Sequence, residues 1–427
     1  MRLPFVGHTS HPLPFVTVVL SVLLLAGCAS APRHAAAPHP DPLLLVSIDG
    51  LRAADVAAMP TLSKLAADGV RAESMQSSYP SLTFPNHYTL VTGLRPDRHG
   101  IVNNTMRDPE LGDFSLSNRE AVADGRWWDG GEPVWVGAKK AGLRSATMFW
   151  PGSEAEIRGV RPDDWRPFDA DVAPRQRVEQ VLAWLDRPPA QRPDLITLYF
   201  DQVDHEEHLH GPDSTEADQS RALIDDALAQ LLAGLEARGL RARLNLIVVS
   251  DHGMAAVPPG HAIAVEDIAP PDLAEVIGMG QVVGLQPRAG SESAFEAALD
   301  EGVLGRHAHH ECWRKADLPA RWHYGANPRI PAVVCQTDEG WNAAPRAVIA
   351  KYRDNEGTRG SHGYDPALAS MQAMFVADGP AFRDGVVLPR FDNVDVYPLL
   401  ARLLGIAPAP NDGDIAPLLP ALKDAGE

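Results

Sequence analysis

The chain has 427 residues, of which 45% are hydrophobic and 22% charged, and a formal net charge of -18. That length and composition fit one large globular body or two smaller ones, and they exclude a disordered, repetitive or multiply membrane-spanning chain. The acidic balance argues against general binding to polyanions, duplex nucleic acid included, so an anionic ligand needs local cations at its site.

Arg2 precedes an apolar run from Phe15 to Leu25 that closes in Leu25-Ala26-Gly27-Cys28-Ala29-Ser30. The run is short for a membrane span and ends in small residues, so residues 1–27 read as a secretory signal peptide. Leu25-Ala26-Gly27-Cys28 is similar to the bacterial lipobox, which implies lipidation of Cys28 and a membrane-anchored periplasmic protein. Ordinary cleavage near Ala29, leaving a soluble periplasmic protein, is the alternative. Residues 28–42, rich in Ala and Pro, read as a tether for a single body spanning residues 43–427. Beyond Cys28 the cysteines are Cys312 and Cys335. An even pair in an exported chain suggests one disulfide, with two buried thiols as the other reading.

The body opens with Leu43-Leu44-Leu45-Val46-Ser47-Ile48, a continuous apolar run typical of a strand buried on both faces, and the run ends in Asp49-Gly50. Residues 60–67 read as a helix stopped near Gly69, and residues 70–75 as a strand. Pro85 suits a first helical turn, Tyr88 to Thr92 continues it and Gly93 ends it, which places Thr83 at or near the N-cap. The Thr83 hydroxyl is expected either to cap this helix or to act as a nucleophile. Unpaired N–H groups at a helix start favour an alkoxide and an incoming phosphate, yet a threonine needs a metal or base beside it.

Leu195–Phe200 is a second buried-strand candidate and runs into Asp201 to His208; Leu244–Ser250 is a third and runs into Asp251-His252-Gly253. Between them Ile224, Leu228, Leu231 and Leu235 recur at helical spacing. Strand, helix, strand implies an α/β fold with a largely parallel central sheet covered by helices, whose ligands bind beyond the carboxyl ends of the strands. Residues 258–355 are less regular, with strands expected at 280–285 and 330–335 and a helix at 291–300, and they read as an insertion beside the main sheet. His362 follows in a glycine-flanked loop, then a returning strand at 371–376 and a closing helix at 394–404.

Asp204 and His208 are four apart, so one helical turn puts both on the same face. Asp251 and His252 are adjacent, which in a turn still lets them converge on one ion. With Asp49, Thr83 and His362 they form a mixed oxygen and imidazole set that suits Zn²⁺ better than Mg²⁺ or Ca²⁺. Seven ligands are too many for one tetrahedral zinc and suit two.

Taken in order, Ser47-Ile48-Asp49-Gly50, Thr83-Phe84-Pro85-Asn86-His87-Tyr88, Val91-Thr92-Gly93, His99-Gly100-Ile101, Ser250-Asp251-His252-Gly253-Met254 and His362-Gly363-Tyr364-Asp365 resemble a known family. It is the bacterial nucleotide pyrophosphatase/phosphodiesterase (type I phosphodiesterase) family of the alkaline phosphatase superfamily. The resemblance implies an alkaline phosphatase-like α/β/α sandwich and two Zn²⁺, one held by Asp204, His208 and His362, the other by Asp49, Asp251, His252 and the Thr83 oxygen. It also implies cleavage of nucleoside triphosphates and dinucleotides to nucleoside 5′-monophosphates through a covalent threonyl-nucleotide intermediate. Asn104 matches the asparagine that donates to a phosphate oxygen, with Asn103 as an adjacent rival. Phe84 and Tyr199 match positions where nucleotide-preferring members stack the base, the other reading being ordinary core aromatics; Phe168, Trp127 and Trp128 are further candidates for the pocket.

Sulfatase chemistry is excluded, because Thr83 and His87 stand where formylglycine formation needs Cys or Ser and Arg. A same-scaffold hydrolase of lipid-headgroup, choline or phosphonate esters is the nearest rival function. An inactive nucleotide- or zinc-binding lipoprotein is the remotest. One departure stands out: Glu207 precedes His208 where the family usually has glycine. It is expected to shift the helix turn and add negative charge near the metals, with His205 and His210 as competing ligands.

Overall fold

The computed structural model describes residues 40–352 and 357–424, so the signal segment, Cys28 and nearly all of the tether lie outside the described residues. Every residue of β1 (Leu43–Ile48) is buried, and its side chains feed two cores by alternation. Leu43 and Leu45 pack with α2 (Thr83–Thr92) and with Tyr397 and Leu400 of the closing helix Val396–Leu403. Leu44, Val46 and Ile48 pack on the other face with α1 (Pro60–Asp68), α3 (Pro174–Leu185) and the long α5 (Thr215–Ala237). A strand with apolar side chains on both faces needs helices on both faces, and the result is an α/β/α sandwich.

The main sheet has eight strands: β1, β2 (Val70–Ala72), β3 (Ser145–Met148), β4 (Asp164–Trp165), β5 (Leu195–Phe200), β6 (Asn245–Val249), β7 (Phe375–Asp378) and β8 (Val386–Leu388). Their spatial order is β8-β2-β7-β6-β1-β5-β3-β4. β1 lies between β5 and β6, parallel to both. The exception is β7, antiparallel to β6 and β2, so the sheet is mixed. The chain leaves β6 at the carboxyl edge and returns through His362 at that same edge, so β7 enters running the other way.

Several element boundaries differ from the sequence reading. The strand expected at 70–75 is two short ones, β2 and Met75–Gln76, the latter paired with Phe391–Asp392. The returning strand is 375–378, and the closing helix begins at Val396, which leaves Pro398 in the first turn, where its missing N–H costs no helical bond.

The expected insertion contains a second sheet of five strands, Ala274–Val276, Val282–Pro287, Val333–Thr337, His310–Arg314 and Gly305–Arg306 in spatial order. All of its pairings are antiparallel. It has its own core around Phe295, Leu299, Val283 and Val333. Cys312 and Cys335 face each other across a strand pair there and are joined by a disulfide.

Candidate active site

The three central strands β5, β1 and β6 end side by side, and each delivers an acidic residue to one edge. Asp49 follows β1, Asp251 and His252 follow β6, and β5 leads into α4 (Gln202–His210), which carries Asp204 and His208. Gly50 makes the turn after Asp49 with φ 73°, and a Cβ there would sit 3.1 Å from the Asp204 Cβ, so only glycine permits this approach. Its N–H points at Asp251 Oδ1, 3.3 Å away. Thr83 is the first residue of α2, one step past the N-cap Leu82. Its hydroxyl does not cap the helix; it faces His252 Nε2 at 3.3 Å.

The seven residues singled out from the sequence converge. His252 Nε2 lies 2.9 Å from Asp251 Oδ2 and 3.5 Å from Asp49 Oδ1. Asp204 has His208 Nε2 3.5 Å from one oxygen and His362 Nε2 3.4 Å from the other. The rings of His252 and His362 stack with centroids 3.6 Å apart. Three sets of possible ligand atoms, each within 4.8 Å of one another, are Asp204–His208–His362, Asp49–Asp204–His252 and Asp49–His87–Asp251.

Each of the three expected imidazole ligands has its other nitrogen held by the main chain. Nδ1–H of His208 donates to Gly360 O at 2.9 Å, that of His362 to Ser81 O at 2.9 Å, and that of His252 to Gly253 O at 3.0 Å. This fixes the tautomer, so the Nε2 lone pairs face the cluster. Asp49 Oδ1, Asp204 Oδ1 and Asp251 Oδ2 are buried oxygens with no properly directed hydrogen bond among the described residues. Burial, then the charges of Asp251 and Asp204, push the Asp49 carboxyl well above its ordinary range. Burial opposes ionisation of Asp251 as well, yet the His252 and His87 charges hold its carboxyl well below that range. Burial, then His252 and His208, keep the His362 imidazole neutral by lowering its pKa. Buried carboxyl oxygens without directed partners, converging with imidazole nitrogens, form a donor set that fits a divalent transition metal, whose charge would offset the crowded carboxylates.

A cavity opens beside this cluster, lined by Thr83, Asp49 and Asp204 and by Phe84, Phe149, Trp150, Phe168, Tyr199 and Arg119 among others. Asn104 Oδ1 accepts the Phe84 N–H at 2.9 Å, which leaves the carboxamide NH₂ as a donor next to the nucleophile candidate. Asn103 instead accepts from Thr105 N two residues on, a local loop bond. The Asn103 and Asn104 alternatives are thus separated by their partners.

A scan of family models matches residues 43–365 to type I phosphodiesterase/nucleotide pyrophosphatase. Venom phosphodiesterase CdcPDE of Crotalus durissus collilineatus is 37% identical over 416 residues, covering 93% of this chain and 48% of that protein. The chain belongs to the type I phosphodiesterase/nucleotide pyrophosphatase family. Ectonucleotide pyrophosphatase/phosphodiesterase family member 1 of Mus musculus is 36% identical over 392 residues, covering 90% of this chain and 43% of that protein. The chain thus spans about half the length of the curated relatives it matches. Among solved structures, murine ectonucleotide pyrophosphatase/phosphodiesterase 5, as an inactive variant in complex with AMP, matches with TM-score 0.82 and 30% identity. That match covers 90% of this chain and 100% of that chain, and it makes the fold alkaline phosphatase-like.

Within this family site, some residues sit differently from the sequence expectation. Tyr199 lines the cavity but is only 7% exposed, and its hydroxyl bonds Asp49 Oδ2 at 2.5 Å. Its phenol braces the Asp49 carboxyl while part of the ring remains on the cavity wall. Phe168, left unplaced by the sequence, is half-buried on the cavity wall, as is Phe84. Trp127 and Trp128 are buried behind the wall, with Trp128 against Phe84.

Glu207 turns its fully buried carboxylate to Arg221 of α5, at 2.5 Å. The close backbone approach is met from the other side, since a Cβ on Gly360 would fall 2.4 Å from Glu207 O. His205 is exposed on the cavity rim, and His210 is exposed beside Glu206, with Nε2 3.6 Å from Oε2. His87 was missed. It is buried, with Nδ1 2.9 Å from Thr83 O and 3.2 Å from Asp251 Oδ2, and Nε2 2.8 Å from Ser47 Oγ. Its spacing of four from Thr83 on a predicted helix was the available clue.

Proposed function

We propose that the chain is a two-zinc phosphodiesterase that cleaves nucleotide phosphodiester and pyrophosphate bonds, nucleoside triphosphates and dinucleotides included, to nucleoside 5′-monophosphates. The observation that carries this reading is the Thr83 hydroxyl, uncapped at a helix start and 3.3 Å from His252, amid converging Asp and His ligand atoms. Asp204, His208 and His362 would hold one ion, and Asp49, Asp251, His252 and Thr83 Oγ1 the other. Bound there, zinc lowers the hydroxyl's pKa and offsets charge on the phosphoryl oxygens.

Thr83 Oγ1 gives up its proton to solvent and forms a bond to the α-phosphorus while the bond to the leaving group breaks and its electron pair departs with that group. Water then cleaves the threonyl-nucleotide ester, releasing the monophosphate and restoring the hydroxyl. The Asn104 NH₂ donates to a phosphate oxygen, Phe84 and Phe168 take the base, and Tyr199 holds Asp49 in place. That a murine relative was solved with AMP supports a nucleoside monophosphate ligand. Removal of residues 1–27 and lipidation of Cys28 complete the reading: an exported periplasmic protein that touches membrane only through its lipid. Changing Cys28 to Ala is expected to shift the protein from the membrane to the soluble fraction, and unchanged fractionation refutes the anchor.

The catalytic reading is tested by turnover of a 4-nitrophenyl nucleoside 5′-monophosphate ester against choline and glycerol phosphodiesters. The nucleotide ester is expected to be cleaved faster, and Thr83→Ala to abolish turnover while bound zinc, measured by atomic absorption, stays near the native level. Faster cleavage of the choline diester places the chain among headgroup hydrolases instead. Full turnover in Thr83→Ala removes the nucleophile.

A further inference from the structure

Beyond the ligand cluster, the cavity carries a positive charge that the hydrolytic step does not use. Among the described residues Arg119 is the one lysine or arginine on its wall, which also carries the carboxyl groups of Asp49, Asp201, Asp204 and Glu154. Its side chain is 46% exposed, and Nη2 bonds Glu154 Oε2 at 2.5 Å. The other oxygen of that carboxylate accepts the Phe168 main-chain N–H at 2.8 Å. One buried carboxylate therefore bridges Arg119 to the backbone of Phe168, and both residues line the same cavity. Both Glu154 oxygens are engaged in this bridge. Glu154 takes one of the two Nη2 hydrogens, so Arg119 keeps the second Nη2–H together with Nε–H and the Nη1 hydrogens as donors and, being a guanidinium, has no acceptor to offer.

A base taken into this cavity against Phe168 would share it with a donor-only guanidinium fork. Guanine presents O6 and N7 to such a fork and uracil presents O4, whereas adenine and cytosine place an amino donor at the corresponding position. We propose that Arg119 reads the base of the bound nucleotide and selects keto bases, guanine over adenine and uracil over cytosine. This selectivity rests on the nucleotide reading given above. Stacking on Phe84 and Phe168 is blind to the identity of a base of given size, so the fork supplies the discrimination.

The test compares GTP with ATP and UTP with CTP, using the full-length protein and chromatography of the released monophosphate. Within each pair the ring system is the same size, so stacking area cancels. The expected kcat/KM ratio is about tenfold or more in favour of the keto base in both pairs. Arg119→Met is expected to bring both ratios close to one by lowering GTP and UTP alone, with an unchanged melting temperature. Arg119→Lys keeps part of the preference, since an ammonium donates but lacks the planar fork. Equal native ratios, a preference for adenine, or an equal loss on all four substrates in Arg119→Met overturns base reading, the last marking a general charge contact. Failure to cleave any of the four while a choline phosphodiester is turned over sinks the nucleotide reading itself.

Discussion

The ligand edge and the aromatic wall adjoin the same cavity, yet they are built by different means. Asp49, Asp251 and His252 are at most 2% exposed and stand just past the ends of β1 and β6, the middle of the sheet. Around them the three imidazoles are aligned by main-chain carbonyls. The wall is assembled from connections: Arg119 from a short helix, Phe149 to Glu154 from the segment after β3, and Phe168 from the segment after β4. Its members are in part exposed and touch through side chains. Under the proposed function the difference is a division of labour, in which the sheet centre would fix the chemistry and peripheral segments what the chemistry acts on.

That division breaks most visibly if a ligand can be lost without harm. His362→Ala removes one imidazole from the Asp204–His208–His362 set. It is expected to cost more than the roughly 10- to 100-fold typical of an outer-shell change, together with about one metal equivalent per chain. Native activity and metal content in that variant would falsify the edge as the catalytic centre. Tyr199→Phe keeps the ring and deletes only the bond to Asp49, so kcat or zinc affinity is expected to fall by about 10- to 100-fold. A change in KM alone would instead return Tyr199 to the wall. Phe168→Ala should have the smallest effect, raising KM for nucleotide esters about tenfold through lost stacking with kcat nearly intact. Were its kcat to collapse with metal content, wall and edge would be one unit.

Where physics acts locally, the sequence was legible. The four-residue spacing of Asp204 and His208 and the doubly buried runs before Asp49 and Asp251 gave the edge, because strand and helix periods follow from nearest neighbours. The wall was not readable in the same way. Arg119 meets Glu154 across 35 residues, and Glu207 finds Arg221 fourteen residues on, contacts that no periodicity announces. Tyr199 shows the limit within a well-predicted strand. Parallel pairing of β1 with β5 sets Ser47 opposite Tyr199, which brings the phenol within reach of Asp49, and that register appears only in the folded sheet. The antiparallel sense of β7 likewise depends on where a long excursion ends, which local pattern does not record.

The main-chain carbonyls of Ser81, Gly253 and Gly360 each hold the Nδ1–H of one imidazole and so set the orientation of all three rings. If the proposed metals bind there, a chelator-stripped molecule would need no ring flip to be refilled, and exchange of one divalent ion for another would leave the surrounding protein in place.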